Sequence, residues 1–260
     1  MEEGDEGREQ NKRDEEEEEE EEEEVSEIGK VPDDVLIEIL VRGGIGEWEQ
    51  IACVNKHWAN LLSSHCECFW QAALSYHYPL MAVPSLPLPW LGPIPLPNNS
   101  KTRFTALYIT QRIFASHPHN LQLHHHFHEI VGHTYLFLKH QLQLFIMPPH
   151  SGILHGIIID QFIACGKSRD IAHQLASRIW LAVLDNLDDN HHSFSMLKRL
   201  AHEGDVFLPF PYTRSLEVQW RVFEKLFTDF RDCFNQSDYY DMLACAKSRF
   251  QHIPSSWLGY

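Results

Sequence analysis

The sequence lacks a long run of apolar residues. No stretch reaches the roughly 18 apolar residues that span a bilayer. The nearest candidate runs from Ile153 to Cys165, and it is too short and contains His155 and Asp160. The first residues also lack a basic leader followed by an apolar segment. We therefore expect no membrane partner.

Cysteine is also scarce. Six cysteines are spread over 260 residues, and only Cys66 and Cys68 are close together in sequence. This pattern is typical of reduced intracellular thiols and differs from the framework of a disulfide-rich domain. It predicts a protein that is located in the cytoplasm, the nucleus or both.

Motifs of common catalytic and nucleotide-binding sites are missing as well. The sequence contains no G-x-S-x-G nucleophile motif. Gly166, Lys167 and Ser168 match the end of a phosphate-binding loop, but Gln161 stands where that motif requires glycine. We interpret Gly166 as the end of one helix and Ser168 as the N-cap of the next. These motifs therefore predict no catalytic or nucleotide-binding site, and we expect no cofactor.

Positive charge is scarce at the N-terminus. Residues 1–30 contain 17 aspartates and glutamates against four basic residues, and residues 15–24 are all glutamate. This segment carries a net charge of −13, which leaves only −3 of the total of −16 for the other 230 residues. Because a glutamate run repels itself and offers no apolar surface, we expect residues 1–27 to form a disordered acidic tail. We expect no nucleic-acid partner, and an acidic-tail chaperone for basic proteins is one open hypothesis.

Proline is concentrated in one segment. Seven of the fourteen prolines lie between Pro79 and Pro97. Because proline lacks an amide donor, we predict that residues 77–100 form an extended linker without regular helix or central strand. The interspersed leucines, isoleucine and Trp90 indicate that this linker lies against the body of the protein. A PxxP ligand at Pro84 to Pro87 is the alternative interpretation.

The remaining sequence has the apolar spacing of helices. We predict a mainly α fold, with an N-terminal unit over residues 28–76 that has three short helices within 31–74, and a helical C-terminal domain over residues 101–260. In that domain, helical patterns cover residues 101–147, 153–165, 170–187, 193–202, 215–235 and 238–252. Alternating apolar residues in 134–146 leave a pair of strands possible there. An extended aromatic loop with Phe207, Phe210 and Tyr212 is a candidate for substrate contact, and a packed connection between helices is the alternative.

Histidines are abundant between residues 117 and 140, which hold eight of the eighteen. His124 and His128 are four residues apart and would share a helix face, where His133 or Glu129 could supply a further metal ligand. The H-E-x-x-H zincin motif is not completed, because Gly132 stands where the second histidine is required. A His-rich metal-binding protein, with or without hydrolytic activity, is a second hypothesis.

Residues 31–70 contain an ordered series of short motifs. In chain order these are Val31-Pro32, Asp33-Asp34, Val35-Leu36-Ile37-Glu38-Ile39-Leu40, Val54-Asn55-Lys56-His57-Trp58, Leu61-Leu62 and Phe69-Trp70. The series resembles the F-box, of the plant-like F-box-only type, which has Leu-Pro, an acidic residue, a helix similar to LLxEIL, then V-C-K-x-W, Leu-Leu and Phe-Trp. The chain departs from this pattern at Val31, at Asn55 in place of cysteine, and in a glycine-rich loop over residues 43–46.

The resemblance implies a unit that binds the Skp adaptor of a cullin ubiquitin ligase complex. The residues expected at this contact are Pro32, Val35, Leu36, Ile39, Leu40, Val54, Trp58 and Leu62. A unit of about 40 residues that is apolar on two sides also needs a second surface to pack against. The implied function is a non-catalytic substrate receptor that holds an unknown protein substrate near the ubiquitin-conjugating enzyme. The alternative is that the unit packs only on the C-terminal helices of its own chain.

Overall fold

The computed structural model describes residues 31–63, 66–82, 92–95, 99–115, 125–144, 148–203 and 215–259. Over these ranges the fold is mainly helical, as predicted, and contains no strand. The chain divides into two compact units after Ala82, so the boundary falls inside the predicted linker. The predicted acidic tail lies outside the described residues.

The N-terminal unit is built from short helices. They are α1 (Asp33–Arg42), α2 (Trp48–Ile51), α3 (Lys56–Leu61), α4 (Glu67–His77) and α5 (Pro79–Ala82). Asn55 caps α3 by accepting a hydrogen bond from the Trp58 amide at 2.9 Å. The prediction of three helices missed α4. The expectation that helix is excluded from Pro79 onward was wrong, because proline is tolerated at the first helical position, where its missing amide is not needed.

The core of the N-terminal unit forms around Trp48. The rings of Phe69 and Trp70 meet the Trp48 ring edge-on, with centroids 5.0 Å and 5.8 Å away. The indole of Trp70 donates a hydrogen bond to the carbonyl oxygen of Ser63 at 2.8 Å. Three tryptophan and phenylalanine side chains are thus buried together, and α4 is packed against the helices that precede it.

The C-terminal unit contains longer helices. They are α6 (Ser100–Ala115), α7 (His125–Gln143), α8 (Ser151–Ala164), α9 (Arg169–Asp185), α10 (His191–His202), α11 (Leu216–Thr228) and α12 (Gln236–Arg249). The predicted helix over 215–235 ends earlier, at Thr228, and Asn235 instead caps α12 by accepting a hydrogen bond from the Asp238 amide at 2.8 Å. Among the helices described, none is both long and apolar enough to cross a membrane.

The alternating segment at residues 134–146 is helical as far as Gln143, so the alternative of two strands was wrong there. Val131, Tyr135, Leu138 and Leu142 recur at helical spacing and are all buried in the core of the C-terminal unit. The helical spacing of these buried residues, and not the alternation of apolar residues over 134–146, therefore determines the structure of this segment.

Gly132 and Gln161, which stand where the zincin motif and the phosphate-binding loop require other residues, have roles in packing. A Cβ atom on Gly132 would lie 1.9 Å from the carbonyl oxygen of Ala106, so α6 and α7 approach too closely for any side chain there. The amide oxygen of buried Gln161 accepts a hydrogen bond from the backbone of Ile94 at 2.9 Å, and a Cβ on Gly92 would collide with it. Residues 92–95 of the predicted linker thus lie against the C-terminal unit.

Side chains of α10 and of Glu203, which follows it, contact the end of α7 and the residues that lead into α8. The Nε2 atom of His192 lies 3.1 Å from the carbonyl oxygen of Leu142, and Arg199 donates to the carbonyl oxygen of Pro148 at 2.7 Å. The carboxylate of Glu203 accepts hydrogen bonds from the amide, at 3.0 Å, and the hydroxyl of Ser151. Because Glu203 follows Ser151 by 52 residues, the N-terminus of α8 is capped by tertiary structure.

The glycine and serine between α8 and α9 have the predicted roles. Gly166 adopts a φ of +81°, a conformation that favours glycine at a helix end. The hydroxyl of Ser168 accepts a hydrogen bond from the Ile171 amide at 3.5 Å and caps α9. The interpretation of this segment as a helix junction is confirmed.

Candidate partner-binding site

Helix α1 carries two apolar stripes. Leu36 and Leu40 are one turn apart and buried, with exposed fractions of 6% and 5%. Val35 and Ile39 are also one turn apart, but 42% and 59% of their surfaces are exposed. Since neighbouring residues on a helix differ by about 100° in direction, the exposed stripe lies beside the buried one.

Contacts at the C-terminal end of α1 fix which stripe is buried. The indole of Trp48 donates a hydrogen bond to the carbonyl oxygen of Leu40 at 2.9 Å. The Nε2 atom of His77 lies 3.1 Å from the carbonyl oxygen of Val41. Both contacts reach backbone groups of the last turn, which have no partner within the helix. They hold α1 in one rotation, with Val35 and Ile39 outward.

The N-terminal end of α1 adjoins the beginning of α3. The Nε2 atom of His57 lies 3.0 Å from a carboxylate oxygen of Asp33, and both side chains are at least half exposed. Asp33 and Asp34 lie in the first turn, where the positive end of the helix dipole stabilises carboxylates. The exposed stripe of α1 is therefore flanked by acidic groups at one end.

The residues predicted at the Skp contact fall into two groups. Pro32, Val35, Ile39 and Val54 are exposed, and Trp58 is half-buried. The other three are core residues of the N-terminal unit: Leu36, Leu40 and Leu62. Substitution of these three would act on the fold, not directly on a contact. Tyr76 and Leu80 are also exposed, and they were not predicted as contact residues because they lie on α4 and α5, which the apolar spacing did not predict.

Several predicted site residues lie outside the part of the chain that the structure describes. They are the candidate substrate-contact residues Phe207, Phe210 and Tyr212, the PxxP segment at 84–87, and His124 of the candidate metal site.

The other members of the candidate metal site do not form a ligand set. The imidazole of His128 stacks on the ring of Phe114, with centroids 5.9 Å apart. The carboxylate of Glu129 instead accepts a hydrogen bond from Arg103 at 2.7 Å and lies 3.5 Å from Nε2 of buried His133. Among the residues with described positions, no three His, Cys, Asp or Glu side chains are grouped so that they could hold a metal ion.

The environment of Glu129 explains its charge state. Burial acts to raise its pKa, but hydrogen bonds from His133 and Arg103, with their positive charges, outweigh this and lower the pKa from 4.5 to about 2. Glu129 is therefore ionised at neutral pH and joins α6 to α7 as the partner of Arg103. This role is structural.

Sequence reasoning also missed a cavity in the C-terminal unit. Arg112, Tyr135 and Arg178 are among its lining residues and come from three different helices. Residues on separate helices give no local signal in the sequence, because their proximity depends on tertiary packing.

Comparison of the chain with protein-family models, with curated proteins and with solved structures finds no match. The F-box resemblance thus stays an expectation that depends on residues 31–70 alone.

Proposed function

We propose that the chain is a substrate-recognition adaptor of an SCF-type ubiquitin ligase. In this proposal the N-terminal unit binds a Skp-like adaptor within a cullin complex, and another part of the chain presents an unknown protein substrate in the cytoplasm or nucleus. The chain itself performs no catalysis. It raises the effective concentration of substrate at the ubiquitin-conjugating enzyme.

The observation that carries this proposal is the exposed stripe of Val35 and Ile39. This stripe lies on the helix whose sequence most resembles the F-box. Leu36 and Leu40 face the core of the N-terminal unit, and Val35 and Ile39 are therefore left exposed. Apolar side chains in the middle of an interface, once desolvated, contribute most of the binding free energy.

The experiment measures binding of the full chain to a recombinant Skp-like adaptor by calorimetry. The test variant is the double substitution Val35→Asp with Ile39→Asp. A matched control is Ile153→Asp with Ile163→Asp, which changes two exposed isoleucines of α8 in the C-terminal unit. We expect the test variant to lose about 2 kcal/mol or more of binding free energy, a change of at least about 30-fold, and the control to bind normally.

Circular dichroism and tryptophan fluorescence should show that both variants are folded, because the substituted side chains are on the surface. Equal binding by the folded test variant would contradict the proposed site. Failure of the unmodified chain to bind any Skp-like adaptor would contradict the proposed function itself.

A further inference from the structure

The C-terminal unit contains a cavity of about 390 Å³, which is in the range of small-ligand sites. It lies between α6, α7, α9 and α11. Its described lining includes four apolar side chains from α6 and α9: Ile109, Ile113, Leu181 and Ala182. They pack against the main core but are only partly buried. The cavity therefore offers apolar surface that the described residues do not cover.

Tyr135 of α7 places a hydroxyl group at this cavity. The residue belongs to the core, is only 5% exposed, and also lines the cavity. Its hydroxyl makes no hydrogen bond to any residue that the structure describes, and its oxygen is not sealed from solvent. Buried hydroxyl groups normally have a hydrogen-bond partner, because burial without one costs free energy. An acceptor that enters the cavity would supply this partner.

The phenol of Tyr135 is a donor at neutral pH. Burial raises its pKa above the ordinary value, while the positive charge of Arg112 acts in the opposite direction without cancelling the effect. The hydroxyl therefore keeps its proton. A ligand oxygen with a free lone pair, such as the carbonyl oxygen of a ketone or an ester, can accept a hydrogen bond from it.

The charged side chains of the lining do not favour a charged ligand. Among the described residues they are two arginines and two carboxylates: Arg112, Arg178, Asp185 and Glu217. Both arginines already have interactions within the protein, so neither is free to grip an anion. Asp185 shares Arg221 with Glu224. A ligand of either charge would lose its hydration without gaining an unopposed partner, and the lining therefore favours a neutral one.

We propose that this cavity binds a neutral, largely apolar small molecule that carries one hydrogen-bond acceptor oxygen. The oxygen accepts a hydrogen bond from the hydroxyl of Tyr135, and the apolar part packs against Ile109, Ile113 and Leu181. The proposal does not depend on the proposed function, because it concerns binding by the chain alone.

The test is a ligand-observed NMR titration of the full chain with four probes. Each has a phenyl group on a four-carbon chain: 4-phenyl-2-butanone, butylbenzene, 4-phenylbutyrate and 4-phenylbutylamine. The first is a neutral ketone, the second a hydrocarbon, the third an anion and the fourth a cation. We expect the ketone to bind about tenfold or more tightly than the anion and the cation, because burial of an ion without a dedicated partner is costly.

Substitution of Tyr135 separates the hydrogen bond from the apolar contacts. Tyr135→Phe should weaken binding of the ketone about fivefold and leave that of butylbenzene unchanged, because only the ketone accepts a hydrogen bond. Tyr240→Phe is the matched control, since Tyr240 is exposed on α12 and does not line the cavity, and it should change neither affinity. Ala182→Leu adds a side chain to the apolar wall and should weaken both probes about fivefold or more.

The same measurements can overturn the proposal. No binding of the ketone, or tighter binding of either ion than of the ketone, would contradict a neutral ligand. Unchanged ketone affinity in Tyr135→Phe, or an equal loss for the ketone and butylbenzene, would show that the hydroxyl is not the donor. Tyr135→Phe keeps the buried ring, and circular dichroism should show that it is folded. If Ala182→Leu does not fold, the comparison of Tyr135→Phe with Tyr240→Phe still decides the question.

Discussion

The two units differ in how they use their apolar side chains. Five large hydrophobic residues are exposed among the 50 described residues of the N-terminal unit, against five among the 142 of the C-terminal unit. In the C-terminal unit the five are scattered, and no two lie within one helical turn in sequence. In the N-terminal unit Val35 and Ile39 form one stripe on α1.

Small size explains part of this difference and not all of it. A unit of this size buries a smaller fraction of its surface than a larger one, so more exposed apolar residues are expected. Size alone would scatter them, as in the C-terminal unit, and single exposed hydrophobic residues need no explanation. An ordered stripe beside a buried one requires α1 to have apolar residues on two sides. Such a helix is better suited to an interface than to a free surface.

The largest expected effect is loss of the Trp48 side chain. Trp48→Ala should cost about 3 to 5 kcal/mol, because it removes a buried ring and its hydrogen bond to Leu40. A unit of about 50 residues has only a few kcal/mol of stability in total, so we expect it to unfold. Hydrogen–deuterium exchange in peptides from residues 31–82 measures this. The control Trp48→Phe keeps a ring and should retain more protection; equal protection in Trp48→Ala and the unmodified chain would contradict the described core.

Acid should destabilise the C-terminal unit through a pair of histidines, one of which is buried. His155 is fully buried, and its Nε2 lies 3.4 Å from Nδ1 of His173. Burial, followed by the charge of His173, lowers the pKa of His155 from 6.5 to about 3. Burial is also the main cause that lowers the pKa of His173. Neither described histidine of the N-terminal unit, His57 or His77, is buried.

The direction of the pH effect follows from these values. Below pH 6.5 the unfolded chain takes up a proton at His155 that the folded chain does not take up until about pH 3. Stability is therefore lost as the pH falls through this window, by about 2 kcal/mol between neutral pH and pH 5. Urea unfolding at several pH values measures the loss. His155→Leu should reduce it and exposed His252→Leu should not; an unchanged slope in His155→Leu would show that another group is responsible.

A further acid effect begins at lower pH. The pKa of Glu129 falls from 4.5 to about 2 on folding, so its stabilising contribution is complete above pH 4.5 and is lost between pH 4.5 and pH 2. The two windows overlap between pH 4.5 and about pH 3, so the effect of His155 is seen alone above pH 4.5 and that of Glu129 alone below pH 3; a mutant of one should leave the other's window in place.

Capping at the helix termini shows how much the sequence could predict. The caps at Asn55, Ser168 and Asn190 are local signals, since each side chain accepts a hydrogen bond from a backbone amide three residues later. The capping of Ser151 by Glu203 has no such signal, because 52 residues separate the two. Helix starts with a local cap were therefore predictable, whereas the start of α4, which has no side-chain cap, and the packing that brings distant residues together were not.

The same limit applies to the candidate site. The sequence indicated an N-terminal unit that is apolar on two sides, but it could not decide which stripe of α1 the core would bury. Leu36 and Val35 are similar in kind and adjacent, and the choice depends on contacts from Trp48 and His77, which come from other helices. The predicted contact set consequently mixed exposed residues with core residues such as Leu62.

A smaller effect is expected at the tertiary cap. Glu203→Ala should cost about 1 to 2 kcal/mol, because the amide and hydroxyl of Ser151 lose their acceptor. Glu203→Gln keeps one oxygen and should cost less. The control is Asp241→Ala, an exposed acidic residue on α12. Urea unfolding of the three variants gives the differences, and a Glu203→Ala value no larger than that of the control would mean that this carboxylate does not cap α8.

The smallest expected effect on stability concerns the exposed stripe itself. Ile39 and Ile153 are isoleucines of similar exposure, 59% and 55%, one in each unit. Ile39→Ser and Ile153→Ser should each change the free energy of unfolding by no more than about 0.5 kcal/mol, since neither side chain is part of a core. Only Ile39→Ser should weaken binding of a Skp-like adaptor, because only Ile39 belongs to the proposed contact. If Ile39→Ser instead costs 2 kcal/mol or more of stability, the stripe is covered within the folded chain, and the alternative in which this unit packs on its own C-terminal helices replaces the proposed partner site.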